Sequence, residues 1–208
     1  MFIVDPAIEK YLDSLLPERN PVFLEMEKRA EKENFPAVGP HVGLLLQLLT
    51  RMISARNVLE LGSGYGYSAL WIAQALPESG RIILTDLSEK HHKAAIKYFK
   101  RLKLDHLMEF RVKNAVTVLA EETGPFDLIF NDVDKEESPE ALELSHARLR
   151  EGGLFVTDNT LWYGQVTQDE VDETTVKIKE FNCKLAAHPG FQTVQIPLRD
   201  GVSISIKK

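Results

Sequence analysis

Through most of this chain, short apolar runs alternate with longer stretches whose apolar residues recur at helical spacing. From residue 57 onward, "NVLEL" precedes "GYSALWIAQAL", "RIILTD" precedes "SEKHHKAAIKYFKRLK", "MEFRV" precedes "NAVTVLAEE" and "FDLIFND" precedes "SPEALELSHARL"; "REG" then leads into "GLFVTD". The runs have the length of buried strands, and the stretches between them predict amphipathic helices. Such alternation implies a parallel sheet with helices on both faces, because each crossover must return across the sheet. The last segment breaks the rule: "FQTVQIPL" and "GVSISIKK" are joined only by "RDG", which is too short for a crossover and rich in turn formers. They predict an antiparallel hairpin at one sheet edge. The expected class is α/β, a doubly wound sheet that is mostly parallel.

Upstream of residue 57 the pattern predicts three helices, at about 5–16, 18–34 and 41–54, separated by Pro17 and by "FPAVGP". No linker or low-complexity tract sets them apart. The expectation is one domain over 1–208, with the helices of about 1–55 as a cap over the functional edge of the sheet.

Composition narrows the class. The 208 residues are 44% hydrophobic and 27% charged, enough for a single domain with a sizeable core. No stretch is long and apolar enough to span a bilayer. The start "MFIVDPAIEKYLDSLL" carries acids where a signal peptide needs a basic lead, so a cytoplasmic protein with no membrane partner is expected. A net charge of −6 weighs against a broad nucleic-acid surface, which works by neutralising phosphates. The basic segment from Glu89 to Lys103 reads as a solvated helix face that includes His91 and His92; His41 sits at a helix start. The lone Cys183 reads as a packing residue, and Trp71 falls at core spacing.

Chemistry is sought at the carboxyl ends of the strands, where open α/β sheets bind ligands. The first end is "LELGSGYGYS": Gly62, Gly64 and Gly66 allow a sharp reversal and close ligand approach, with the next helix aiming N–H groups forward. The second strand ends in Asp86, placed either to hold a ribose or to cap the helix that begins at Ser88. Together the turn and the acid favour a ligand carrying adenosine. The fourth strand delivers Asp132, Asp134 and Lys135, and the fifth delivers Asp158 and Asn159. Singly, Asp132 reads as a helix cap and Asp158-Asn159 as a turn. On neighbouring strand tips, Asp132 and Asp158 would repel unless a cation lay between them, and an all-oxygen set suits a hard ion such as Mg²⁺. Beside such an ion, Lys135 would have its charged form disfavoured and could act as a general base. Trp162 reads equally as a pocket wall or as packing.

These segments, "VLELGSGYGYSALWIA", "ILTDLSEKHHKAA", "FDLIFNDVDKEE", "GGLFVTDNTLWYGQV" and "PLRDGVSISIKK", resemble in order the motifs of the cation-dependent O-methyltransferases of the catechol and caffeoyl-CoA type, which use S-adenosylmethionine. The resemblance runs from about Val38 to the end of the chain. It implies a Rossmann-like seven-stranded sheet, a divalent cation (Mg²⁺, or another such as Mn²⁺ or Ca²⁺), a small phenolic acceptor and a homodimer. Carried over residue by residue, it places Val38, Glu60, Gly62, Ser63 and Ser68 along the methionine half of the cofactor. Asp86 falls on the ribose, Ala115 beside the adenine, and Asp134 near the cofactor. Asp132, Asp158 and Asn159 match the metal ligands, Asp132 also lying against the cofactor, and Lys135 matches the proton acceptor. The chain departs from the family at Lys113-Asn114, where Gly-Asp is usual, at Glu137, which replaces a tyrosine, and at Tyr163 and Gln165, where many bacterial relatives carry arginines. These departures weigh against phosphate-bearing acceptors and against the alternative of a tRNA hydroxyuridine acceptor. A non-catalytic cofactor-binding protein is the other alternative, opposed by the intact acid cluster. An NAD-linked dehydrogenase lacks the GxGxxG turn.

Overall fold

The computed structural model describes residues 3–133 and 137–208. Three helices open the chain. The first, α1, spans Pro6–Ser14, with the Asp5 carboxylate accepting from the Ala7 N–H at 2.7 Å. The second, α2, spans Pro21–Glu33 and starts three residues later than the pattern suggests, because Asn20 caps the Val22 N–H and Pro21 suits the first turn. It ends on Asn34 at φ 48°. The third, α3, spans Gly39–Met52.

Seven strands then form one sheet in the order β3-β2-β1-β4-β5-β7-β6. They are β1 (Asn57–Leu61), β2 (Arg81–Asp86), β3 (Met108–Val112), β4 (Phe126–Asn131), β5 (Leu149–Asp158), β6 (Phe191–Ile196) and β7 (Val202–Lys207). The first five are parallel, and β7 runs antiparallel between β5 and β6, as the short "RDG" connection requires. Strand order reverses at β1, which pairs with β2 on one side and β4 on the other, and so opens a crevice at their carboxyl ends.

Side chains alternate between the faces with the period of a strand. Val58, Ile82, Leu84, Leu128 and Phe130 join one buried cluster, which includes Leu46 of α3, Leu70 of α4 (Tyr67–Ala73) and Phe99 of α5 (Glu89–Arg101). Leu59, Ile83, Ile129 and Phe155 join the other, with Leu119 of α6 (Ala115–Glu121), Leu142 of α7 (Ser138–Arg148) and Phe181 of α8 (Glu173–Ala187). Burial on both faces explains why the strands read as continuous apolar runs.

Two elements differ from the expectation. β5 begins at Leu149, four residues before the "GLFVTD" run, and its register against β4 breaks between Phe126 and Leu128. The break absorbs Gly152 at φ 69° and Gly153, where a Cβ would stand 2.9 Å from the Arg150 carbonyl oxygen. The strand–helix alternation read from the sequence stops at β5, whereas α8 follows it, burying Thr175, Ile178, Phe181 and Leu185. Its buried stripe opens on a threonine, which blunts the apolar signal.

Of the N-terminal helices, α2 and α3 pack against α4, whereas α1 buries none of its residues. Phe23 of α2 lies 4.5 Å from the Trp71 ring, centroid to centroid, and Gly43 of α3 lies so close that a Cβ would meet that ring at 2.4 Å. Cys183, expected to pack, is exposed on α8. Among the described residues no helix is long and apolar enough to cross a membrane.

Candidate functional site

A cavity of about 630 Å³ opens at the carboxyl ends of β1, β2, β4 and β5. The glycine turn forms its floor. Gly62 has φ 83°, and a Cβ there would stand 2.3 Å from the Asp132 carbonyl oxygen, so only glycine lets β1 and β4 approach this closely. At Gly64, φ 50°, a Cβ would meet the Phe35 ring at 2.4 Å.

Thr85, one residue before the end of β2, holds the turn. Its hydroxyl donates to the Glu60 carbonyl at 2.8 Å and accepts from the Gly62 N–H at 3.1 Å. Its N–H donates to Ser63 Oγ at 3.0 Å, while the Ser63 N–H donates to the Thr85 carbonyl at 2.7 Å. The sequence reading passed over this residue, although a threonine buried within "RIILTD" is a polar interruption of an apolar strand and so a readable signal.

Glu60 lies beneath the turn, fully buried, with Oε1 accepting from the Ser68 hydroxyl. Its Oε2 has no hydrogen-bond partner among the described residues. Burial pushes its carboxyl up to about 7, the Ser68 hydrogen bond opposing and the negative charge of Asp86 adding to the rise.

Val38, Gly62, Ser63, Ser68, Asp86, Ala115, Asp132 and Asn159 all line the cavity, as does Trp162, which here forms part of the wall. Asp86 lines the cavity, and its Oδ1 accepts the Ser88 N–H at 2.7 Å. Ser88 itself is the N-cap of α5. Phe35, from the stretch between α2 and α3, also lines the cavity, and its place before Pro36 gave no periodic signal.

The acids fall where strand register puts them. Asn131 of β4 pairs with Thr157 of β5, so the next residues, Asp132 and Asp158, leave adjacent strand ends with backbones about 4.8 Å apart. Asp158 is buried. Asn159 turns away at φ 60°, a conformation asparagine tolerates. Two carboxylates and an amide oxygen make a donor set that fits a hard divalent cation with positions to spare. Among the described residues no group of three or more His, Cys, Asp or Glu side chains is assembled that could hold a metal ion. Asp134 and Lys135 lie outside the described residues.

The departures from the family pattern divide. Asn114 caps α6 through Oδ1, which accepts from the Thr117 N–H at 2.9 Å, and its Nδ2 donates to Glu137 Oε1 at 2.5 Å; both residues line the cavity. Tyr163 is exposed at the cavity mouth, its N–H donating to Asp200 Oδ1. Gln165 instead accepts from Thr175 of α8 at 3.2 Å.

A doubly wound sheet with a Glu-x-Gly-x-Gly turn and an acid ending β2 at one cavity defines the class: a Rossmann-like methyltransferase. The chain belongs, more narrowly, to the O-methyltransferase family, whose model matches residues 18–208 and so extends upstream of Val38 to include α2. It is 33% identical over 214 aligned residues to the catechol O-methyltransferase of Niastella koreensis, covering 97% of each chain. Among solved structures it resembles the O-methyltransferase of Bacillus cereus in complex with SAH (S-adenosylhomocysteine), with a TM-score of 0.86, 30% identity and 97% of each chain covered. A second is the O-methyltransferase TomG of Streptomyces achromogenes, in complex with SAM, at TM-score 0.86 and 28% identity, covering 97% of this chain and 96% of that one. The protein is an S-adenosylmethionine-dependent O-methyltransferase of the catechol and caffeoyl-CoA type.

Proposed function

We propose that the protein methylates a hydroxyl of a small catechol-like phenol and needs a divalent cation to do so. The observation that carries this reading is the placement of Asp132, Asp158 and Asn159 at the ends of β4 and β5, beside the cavity that also holds the glycine turn and Asp86. In this reading Val38, Gly62, Ser63 and Ser68, with Glu60 behind them, receive the methionine half of the cofactor. Asp86 accepts from the ribose hydroxyls and Ala115 lies beside the adenine. The sulfonium supplies a methyl group reactive enough that positioning and deprotonation are most of what the chain must add.

Asp132, Asp158 and Asn159 would hold the cation, and the family pattern assigns Asp134 to the cofactor. Bound there, it supplies Lewis-acid acidification of the acceptor hydroxyl and a fixed point for its vicinal oxygen. Lys135, three residues beyond Asp132, takes the hydroxyl proton in this scheme. Trp162 and Tyr163 wall the acceptor end of the cavity, a flat aromatic and a phenol suited to stacking on a planar ring. The residues that would hold an acceptor therefore belong to the loop after β5, and those that would hold the cofactor to the start of α3, the glycine turn after β1, α4, the end of β2 and the start of α6.

The test is transfer of a labelled methyl group to a panel of vicinal diphenols, with Mg²⁺ and with excess chelator. Transfer that requires the metal and two adjacent oxygens is expected. Equal transfer in chelator, or to monophenols as readily as to diphenols, refutes the cation-dependent reading.

A further inference from the structure

The side chain that holds Asp86 in place is His91, which the sequence assigned to the solvated face of α5. Its Nδ1 lies 3.0 Å from Asp86 Oδ1, and only 23% of the side chain is exposed. A carboxylate oxygen accepts hydrogen bonds, so Nδ1 must carry the hydrogen. Oδ1 also takes the Ser88 N–H, so both hydrogen bonds to the carboxylate fall on the same oxygen. That leaves Oδ2 as the oxygen for the cavity.

The imidazole is itself fixed from the side. Its ring meets Phe35 edge-on at 5.3 Å between centroids and Tyr65 at 6.3 Å. Phe35 is the residue seated on Gly64, and Arg29 stacks over Tyr65 at 4.6 Å. The clamp thus joins the segment between α2 and α3, the glycine turn and α5 around one carboxylate.

We infer that His91 is a positioning residue for cofactor binding: it holds Oδ1 of Asp86 so that Oδ2 is presented to the vicinal hydroxyls of a ribose. The inference rests on the cofactor reading above. It makes a demand that a packing or capping role does not. The benefit of His91 must appear only with ligands that carry ribose hydroxyls.

The experiment is calorimetric titration of the full chain with S-adenosylhomocysteine and with its 2′,3′-dideoxy analogue, on the wild type, His91→Phe and His91→Asn. Asparagine keeps an N–H donor near the position of Nδ1, while phenylalanine keeps the ring contacts and removes the donor. His91→Phe is expected to weaken S-adenosylhomocysteine about tenfold, the scale of one hydrogen bond to a charged group, while leaving the dideoxy analogue unchanged; His91→Asn restores most of the loss. Wild-type affinity in His91→Phe, or equal losses for both ligands, overturns the inference. Should His91→Phe fail to fold, the ¹⁵N shifts of the wild-type imidazole decide: a protonated Nδ1 supports the inference and an unprotonated one overturns it. A wild type that binds neither ligand removes the cofactor reading itself, and this inference with it.

Discussion

Replacing Glu60 with glutamine tests the electrostatics beneath the glycine turn. In the folded protein this carboxyl is fully buried and titrates at about 7, against an ordinary value of 4.5. The folded state therefore holds its proton more tightly than the unfolded chain. The stabilisation is present in full below 4.5 and is lost as pH rises through about 7. With about 1.36 kcal/mol per pKa unit, the two values give a wild-type loss of about 2 to 3 kcal/mol between pH 5 and pH 8 from this group. Glutamine cannot titrate. Its amide is also imperfectly accommodated, since the position of Oε2 offers no partner among the described residues. The absolute stability of Glu60→Gln therefore mixes two effects, and the pH slope isolates one. Urea unfolding of both proteins at a series of pH values from 5 to 8 reads that slope. The variant should gain about 2 to 3 kcal/mol relative to wild type across the range, most of it by pH 7. A difference that stays flat within about 0.5 kcal/mol would mean that Glu60 is ionised throughout, and the argument from burial would be refuted.

Two further outcomes follow from the same geometry. Gly62→Ala should destabilise by at least about 2 kcal/mol in urea unfolding, because a left-handed φ of 83° and a Cβ 2.3 Å from the Asp132 carbonyl oxygen both oppose the methyl group; an unchanged midpoint would contradict that close approach. If Asp158 helps to hold a cation, Asp158→Asn should lower metal-dependent methyl transfer by at least tenfold to a hundredfold and raise the metal concentration needed, while leaving S-adenosylhomocysteine titration close to wild type. Loss of cofactor affinity with an unchanged metal requirement would place Asp158 elsewhere in the scheme.

Val38, Ser63, Ser68 and Ala115 were reached only through the family resemblance; strand identity, the parallel core, the closing hairpin and the cavity-lining Gly62, Asp86, Asp132 and Asn159 were legible in the pattern itself. These features follow from local periodicity, from glycines that mark reversals, and from the rule that ligands sit at the carboxyl ends of strands. Such signals survive in one dimension because each depends on neighbours in the chain. The early start of β5 was hidden because its register break is made by contact with β4, and α8 was hidden because a buried threonine stands where an apolar residue would have declared the helix. His91 shows the limit most plainly. In the sequence it is one polar residue on a charged helix, five positions after an acid. Only the packing of Phe35 and Tyr65, from two distant segments, fixes its ring against Asp86. Thr85 likewise acts through hydrogen bonds to Glu60, Gly62 and Ser63 that a strand pattern cannot express. The sequence determined which strand ends carry the chemistry, because that is a matter of order and period. The tertiary structure decided which oxygen each group turns toward the cavity, because orientation is set by contacts between residues far apart in the chain.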